Sequence, residues 1–237
     1  MAGHALPLLL WTAAVALFFW PMLSGRVHIA NGDFSGQFHA FGLFQMRELV
    51  AGRFPLWSAG SFSGFPFAAD PQAAVFYLPR WITQLVSLPW RFPYYALQLE
   101  AVAHVWLAGV LTYLLAFDLT RRRAAALLGA LAFGLGGYLT SYPILQLAIL
   151  ETIVWLPATL LMLRRAILGR RPLPWLVTAA LVLALAATAG HPQTLMHVAY
   201  VAAAYFLFLA RRQGWPWASI LKSGLLVALI AVGAAAV

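Results

Sequence analysis

The sequence predicts an all-α polytopic membrane protein with about seven transmembrane helices and a long extracytoplasmic first loop carrying juxtamembrane helices. Three observations predict it. Hydrophobic residues fill 63% of the 237 positions and charged residues only 9%, a balance that excludes a soluble domain. Apolar stretches recur at 6–23, 97–119, 124–140, 144–163, 173–190, 193–210 and 218–237, each near the ~20 residues that cross a hydrocarbon core of roughly 30 Å. Arginines gather in alternate connections: Arg121–Arg123, Arg164/Arg165 with Arg170/Arg171, and Arg211/Arg212.

The first stretch, Leu6–Leu23, reads as a retained helix rather than a signal peptide. No Lys or Arg precedes it, it is long and rich in Trp and Phe, and it ends without a small-residue cleavage site. The arginine clusters place their turns in the cytoplasm, while the turns at Ser141–Pro143 and Gly190–Pro192 carry no basic residue. The N-terminus is therefore expected inside and the first loop outside. Five arginines in that loop do not reverse this, because loops of such length translocate largely regardless of charge. A net charge of +9 distributed between apolar spans is an orientation signal and gives no reason to expect a nucleic-acid partner. Cysteine is absent, which excludes disulfides, thiol catalysis and Cys-based metal sites. The chain reads as one membrane domain, 1–237, with an embedded subdomain at 24–97. Its last span runs to Val237 with no basic cluster after it, as expected of a cut rather than a natural terminus.

That subdomain is where chemistry is expected, since with its border stretched to Glu100 it holds four of the six acidic residues. Phe34, Phe38, Phe41, Met46 and Leu49 approximate helical spacing up to Gly52, which fits an amphipathic helix on the membrane surface. Asp33 suits either a helix cap or a catalytic carboxylate. Gln37, one turn later, can present an amide beside it, and His39 shares the same polar segment. Asp70, followed by Pro71 and Gln72, is a turn-former or a second site acid. Phe62, Phe65, Phe67, Phe76, Tyr77 and Trp81 read as interfacial anchors, with sugar stacking as the alternative.

The other polar groups fall on the same side. His191, Pro192 and Gln193 open the sixth stretch, where free backbone N–H groups attract anions, and His197 lies one turn deeper. Glu151 sits inside an apolar span, where an unpaired charge costs on the order of 3 kcal/mol, so it must be protonated, paired or facing a cavity. Glu100 and His104, four apart, fit a local structural hydrogen bond. Arg80 and Arg91 are suited to a phosphate, whether a lipid headgroup or a leaving group. No phosphate-binding glycine loop, zinc-ligand pair or nucleophile elbow is present.

The run from Asp33 through Gln37, followed by GRFPLWSAGSFSGFPFAADPQAAVFYLP, resembles the start of the bacterial YfhO family of membrane proteins. Trp155-Leu156-Pro157 and Gly190-His191-Pro192-Gln193 are similar to that family too, so the resemblance covers most of the chain. It implies a membrane glycosyltransferase of the C-type (GT-C) superfamily in the bacterial inner membrane. Such an enzyme takes a sugar from a polyprenyl-phosphate donor and delivers it to an extracytoplasmic acceptor, a cell-envelope glycopolymer or lipid. The resemblance places the catalytic base, or the ligand of a divalent cation, at Asp33. Asp70 stands where many relatives carry Asn. Family members continue through further helices. A transporter or flippase of a lipid-linked or anionic solute, and a non-catalytic envelope-assembly protein, are the alternative readings.

Overall fold

The computed structural model describes residues 2–29, 32–60 and 63–236; Phe62 and Val237, named above, lie outside the described residues. All the regular structure described is helical, and the β-type pairing found among these residues is one isolated bridge, Ser58 with Phe65. Helix α1 (Ala2–Phe18) and the short α2 (Trp20–Leu23) lead into the loop. The loop contains a π-helical turn at 34–39, α3 (Ala40–Val50) and α4 (Leu78–Ser87). Helix α5 (Tyr94–Thr120) and α6 (Arg123–Gly134) form a hairpin, after which α7 (Gly137–Thr140), α8 (Tyr142–Leu145) and α9 (Leu147–Ile153) bend the chain. The remaining helices are α10 (Leu156–Leu168), α11 (Pro172–Thr188), α12 (Pro192–Arg212) and α13 (Trp217–Ala235).

Among the described residues, five helical segments are long and apolar enough to cross a membrane: 94–120, 123–140, 147–168, 192–212 and 217–235. The other two expected spans form shorter apolar helices, 3–18 and 172–188. Two of the five contain breaks the apolar pattern does not announce. One lies at Leu135–Gly136, before α7, and the other at Val154–Trp155, where Pro157 starts a new helix.

Packing in the first half rests on close approach. The indole of Trp11 is fully buried, and a Cβ added at either Gly109 or Gly134 would overlap its ring. Trp11 Nε1 donates to the Trp106 carbonyl at 2.9 Å, so α1 is fixed to α5 by one large side chain with its polar atom satisfied. Two of the three arginine clusters meet at one end of the bundle: Asp118 of α5 accepts from Arg164 Nε at 2.8 Å, with Arg121 and Arg165 each at 3.8 Å.

The loop closes the opposite end. Phe34, Phe38 and Met46 are buried in the main core with Leu97, Ala101 and Leu147, so the helical segment 34–50 packs into the bundle; the expectation of a surface-lying helix there is corrected. Its stop is as expected, with Gly52 at φ +71°. Gly109→Val is expected to expel the Trp11 ring and lower stability by about 1–3 kcal/mol. Thermal unfolding in detergent checks this, and an unchanged midpoint would contradict the packing described.

Candidate functional site

At the loop-covered end, three separate parts of the chain meet. Gly190, at φ +91°, sits against the Pro71 carbonyl so closely that a Cβ would overlap it, which docks the α11–α12 turn onto the 70–73 segment. Asp70 Oδ1 accepts from the Gln72 N–H at 2.7 Å and caps the 3-10 turn Pro71–Ala73. Gln72 in turn accepts a side-chain hydrogen bond from Gln37. Asp33 is exposed and makes no capping bond; its carboxylate accepts from the Gln146 amide at the α8–α9 junction. The two aspartates thus divide the alternatives: Asp70 is the cap, and Asp33 keeps a solvent-facing carboxylate.

The π-helical turn begins immediately after Asp33. A π turn holds an extra residue per turn, and such widenings recur at functional sites because they redirect side chains. Here Asp33 and Gln37 reach different partners, Gln146 and Gln72, instead of one shared ligand. His39 has other partners than Asp33 and Gln37: Nε2 contacts the Phe92 carbonyl at 3.3 Å, and its ring packs on Phe92 and Tyr94. Burial holds His39 below the ordinary histidine value.

His191 is the N-cap of α12, its Nδ1 accepting from the Thr194 N–H at 3.1 Å. Burial, and then the charge of His197, keep its pKa below 6.5. Gln193 and His197 are exposed on the first turns of α12.

Beneath this surface lies a buried ionic network. Arg80, 1% exposed, donates through Nε to Glu100 at 2.8 Å and through Nη2 to Glu151 at 3.0 Å. Burial works against its charged form, but the two carboxyls override that and raise its pKa. The role expected for Arg80 at a surface phosphate is therefore corrected: its guanidinium is committed inside the protein. Glu151 has the partner its position demanded. Next to it, Tyr77 Oη lies 2.7 Å from His104 Nε2 and accepts from Trp155 Nε1 at 3.0 Å. Burial, with the nearby Glu151 carboxyl, pushes the Tyr77 hydroxyl well above its usual pKa. His104 Nδ1 bonds the Glu100 backbone carbonyl at 2.8 Å, so the expected local bond exists but uses the main chain.

Two carboxyls facing one guanidinium leave one negative charge uncompensated, and Glu100 Oε2 is buried with no hydrogen-bond partner among the described residues. One proton on the carboxyl pair resolves both features. Glu100, His104 and Glu151 do place one ligand atom each within 4.8 Å of one another. Both ring nitrogens of His104 are already engaged, however, and Arg80 occupies the cationic position, so these residues do not fit a metal. Asp33 belongs to no group of three such ligands among the described residues. The large groove of about 990 Å³ along α12 and α13 is lined by residues such as Leu195, Phe206 and Leu225 and offers no reacting group.

The sequence reading missed Gln146, Tyr77 and Trp155 as partners. Gln146 had no visible signal; Trp155 and Tyr77 were noted for other reasons, and only contacts across 74 and 78 positions join Tyr77 to Glu151 and to Trp155. No family model, curated protein or solved structure matches the chain.

Arg80→Ala is expected to cost about 3–5 kcal/mol, because it strands two buried acids. Adding Glu100→Gln and Glu151→Gln to that variant should restore much of the loss in denaturant unfolding; no restoration would contradict the charge balance. For His191, the folded pKa lies below the unfolded one, so the unfolded chain binds more protons and stability falls as pH drops below 6.5. Going from about pH 8 to about pH 5.5, wild type should lose stability that His191→Asn, a cap at any pH, retains. Equal acid sensitivity of the two proteins in thermal scans would oppose this assignment.

Proposed function

We propose that the chain is a membrane glycosyltransferase moving a sugar from a polyprenyl-phosphate donor to an extracytoplasmic acceptor, with Asp33 as general base. The observation that carries this reading is the solvent-facing Asp33 carboxylate, oriented by Gln146 at the end of the bundle opposite the arginine-rich turns. With those turns cytoplasmic by the positive-inside rule, Asp33 faces outward. The ordered family resemblance from Asp33 to Pro79 supplies the donor class.

In the reaction, the acceptor hydroxyl attacks the anomeric carbon while Asp33 takes its proton. The bond from that carbon to the phosphate oxygen breaks, and the electron pair leaves with the lipid phosphate. Gln193 and His197, exposed on the first turns of α12, are the donors suited to the charge developing there. Arg80 has no part in this step beyond holding the loop in place.

One observation favours the transporter reading: four ionisable side chains, Arg80, Glu100, His104 and Glu151, are buried together. Glu100 and Glu151 lie within two turns of the helix starts at Tyr94 and Leu147, His104 lies a turn deeper, and the hydrogen bonds that hold the group are internal. Transfer of sugar from a polyprenyl-phosphate donor should fall by about 10²–10⁴-fold in Asp33→Asn, with the folded protein retained. Undiminished transfer would remove Asp33 as base. Vesicle flux of the lipid-linked sugar without any acceptor would point to transport instead.

A further inference from the structure

Helix α4 has its polarity inverted. Its buried residues are Arg80, Gln84 and Ser87, whereas Leu78, Ile82, Leu85 and Val86 are each 63% or more exposed. The following turn adds exposed Leu88 and Trp90. From 78 to 90 the outward face carries no charge, and Thr83 returns its hydroxyl to the Pro79 carbonyl. A water-facing helix shows the opposite pattern, with its polar groups outside. The apolar face continues sideways, since Trp81 stacks on the partly exposed Phe54 with ring centroids 6.4 Å apart.

Beside the C-terminal end of this helix, Arg47 and Arg91 line one pocket of about 280 Å³ together with Leu43, Met46 and Val50. Arg91 is placed there by a left-handed backbone, φ +55°, directly after Trp90. Both arginines are exposed, and among the described residues neither has a carboxylate within ion-pair distance nor an aromatic ring beneath it. The contrast with Arg53, paired to Glu48 at 2.7 Å, and with Arg80 is direct. Two uncompensated guanidinium groups over an apolar floor match a phosphate that carries hydrocarbon chains.

We infer that α4 lies within the outer lipid leaflet and that Arg47 and Arg91 clamp the phosphate of a bilayer phospholipid at its edge. The apolar face of α4 meets acyl chains, Trp90 sits at the headgroup level, and the Arg47/Arg91 pocket receives the headgroup. The buried Arg80 faces the other way and ties the same helix to the bundle. This surface is separate from Asp33 and independent of the transfer reaction.

The test uses the whole chain in nanodiscs containing phosphatidylglycerol. Because the protein has no cysteine, single variants Ile82→Cys and Val86→Cys can be labelled uniquely with a nitroxide. Collision with dissolved oxygen should exceed collision with a water-soluble nickel chelate at both positions, and the reverse should hold at Gln213→Cys, in an exposed turn at the basic end. Nickel accessibility at 82 and 86 equal to that at 213 would overturn the insertion of α4. For the pocket, the affinity for phosphatidylglycerol measured by native mass spectrometry should weaken on the order of tenfold in Arg47→Gln/Arg91→Gln. An unchanged thermal midpoint shows that this variant folds. Equal lipid retention by the folded variant, or displacement of the lipid by excess inorganic phosphate, would overturn the lipid assignment. Should the double variant misfold, Arg91→Lys and Arg47→Lys singly, which keep the charge but lose the fork, provide the same comparison.

Discussion

The bond set that the rest of the structure depends on is the fork from Arg80 to Glu100 and Glu151. It links the loop helix α4 to the following helix α5 and to α9, some way further along the chain. In an apolar interior a guanidinium without counter-charge is prohibitive, and so is a carboxylate; together they are tolerable only in the folded arrangement. The network therefore discriminates between docked and undocked loop more sharply than apolar contacts do, because each misplacement strands a charge. Tyr77, at the entrance to α4, is locked in the same place by His104 and Trp155.

That docking has a consequence for the polar end. Between Tyr77 and the π-helical turn lies the segment carrying Asp70, Pro71 and Gln72, and the α11–α12 turn rests on it through Gly190. Once α4 is held, Gln72 can meet Gln37, and the 34–50 helix can bury Phe34 and Phe38. Asp33 is then presented at the rim, where it remains exposed. The solvent-facing carboxylate is thus the outermost member of a structure secured by buried charge.

Much of this fold was legible in the sequence. Apolar run length announced the helices, and two of the three arginine clusters marked turns that meet around Asp118. Glu151 declared that it needed a partner. Its identity was not legible, because Arg80 lies 71 positions away and a buried arginine in an amphipathic segment reads like one that snorkels to a lipid phosphate. The same ambiguity made 34–50 look like the surface helix, while α4, with polar residues at 80, 84 and 87, had its two faces exchanged. Periodicity shows that a helix has two faces; it does not say which solvent each one meets. Asp33 and Asp70 were equally ambiguous until their hydrogen bonds separated the cap from the solvent-facing carboxylate held by Gln146.

The central claim is that a folded loop presents Asp33 at the extracytoplasmic rim. The direct measurement is labelling of Asp33→Cys in intact cells with a membrane-impermeant maleimide, with Arg122→Cys at the arginine-rich end as the internal control. The account predicts rapid modification at position 33 from outside and modification at position 122 only after the membrane is permeabilised. Protection of position 33 in intact cells together with labelling of position 122 would contradict it.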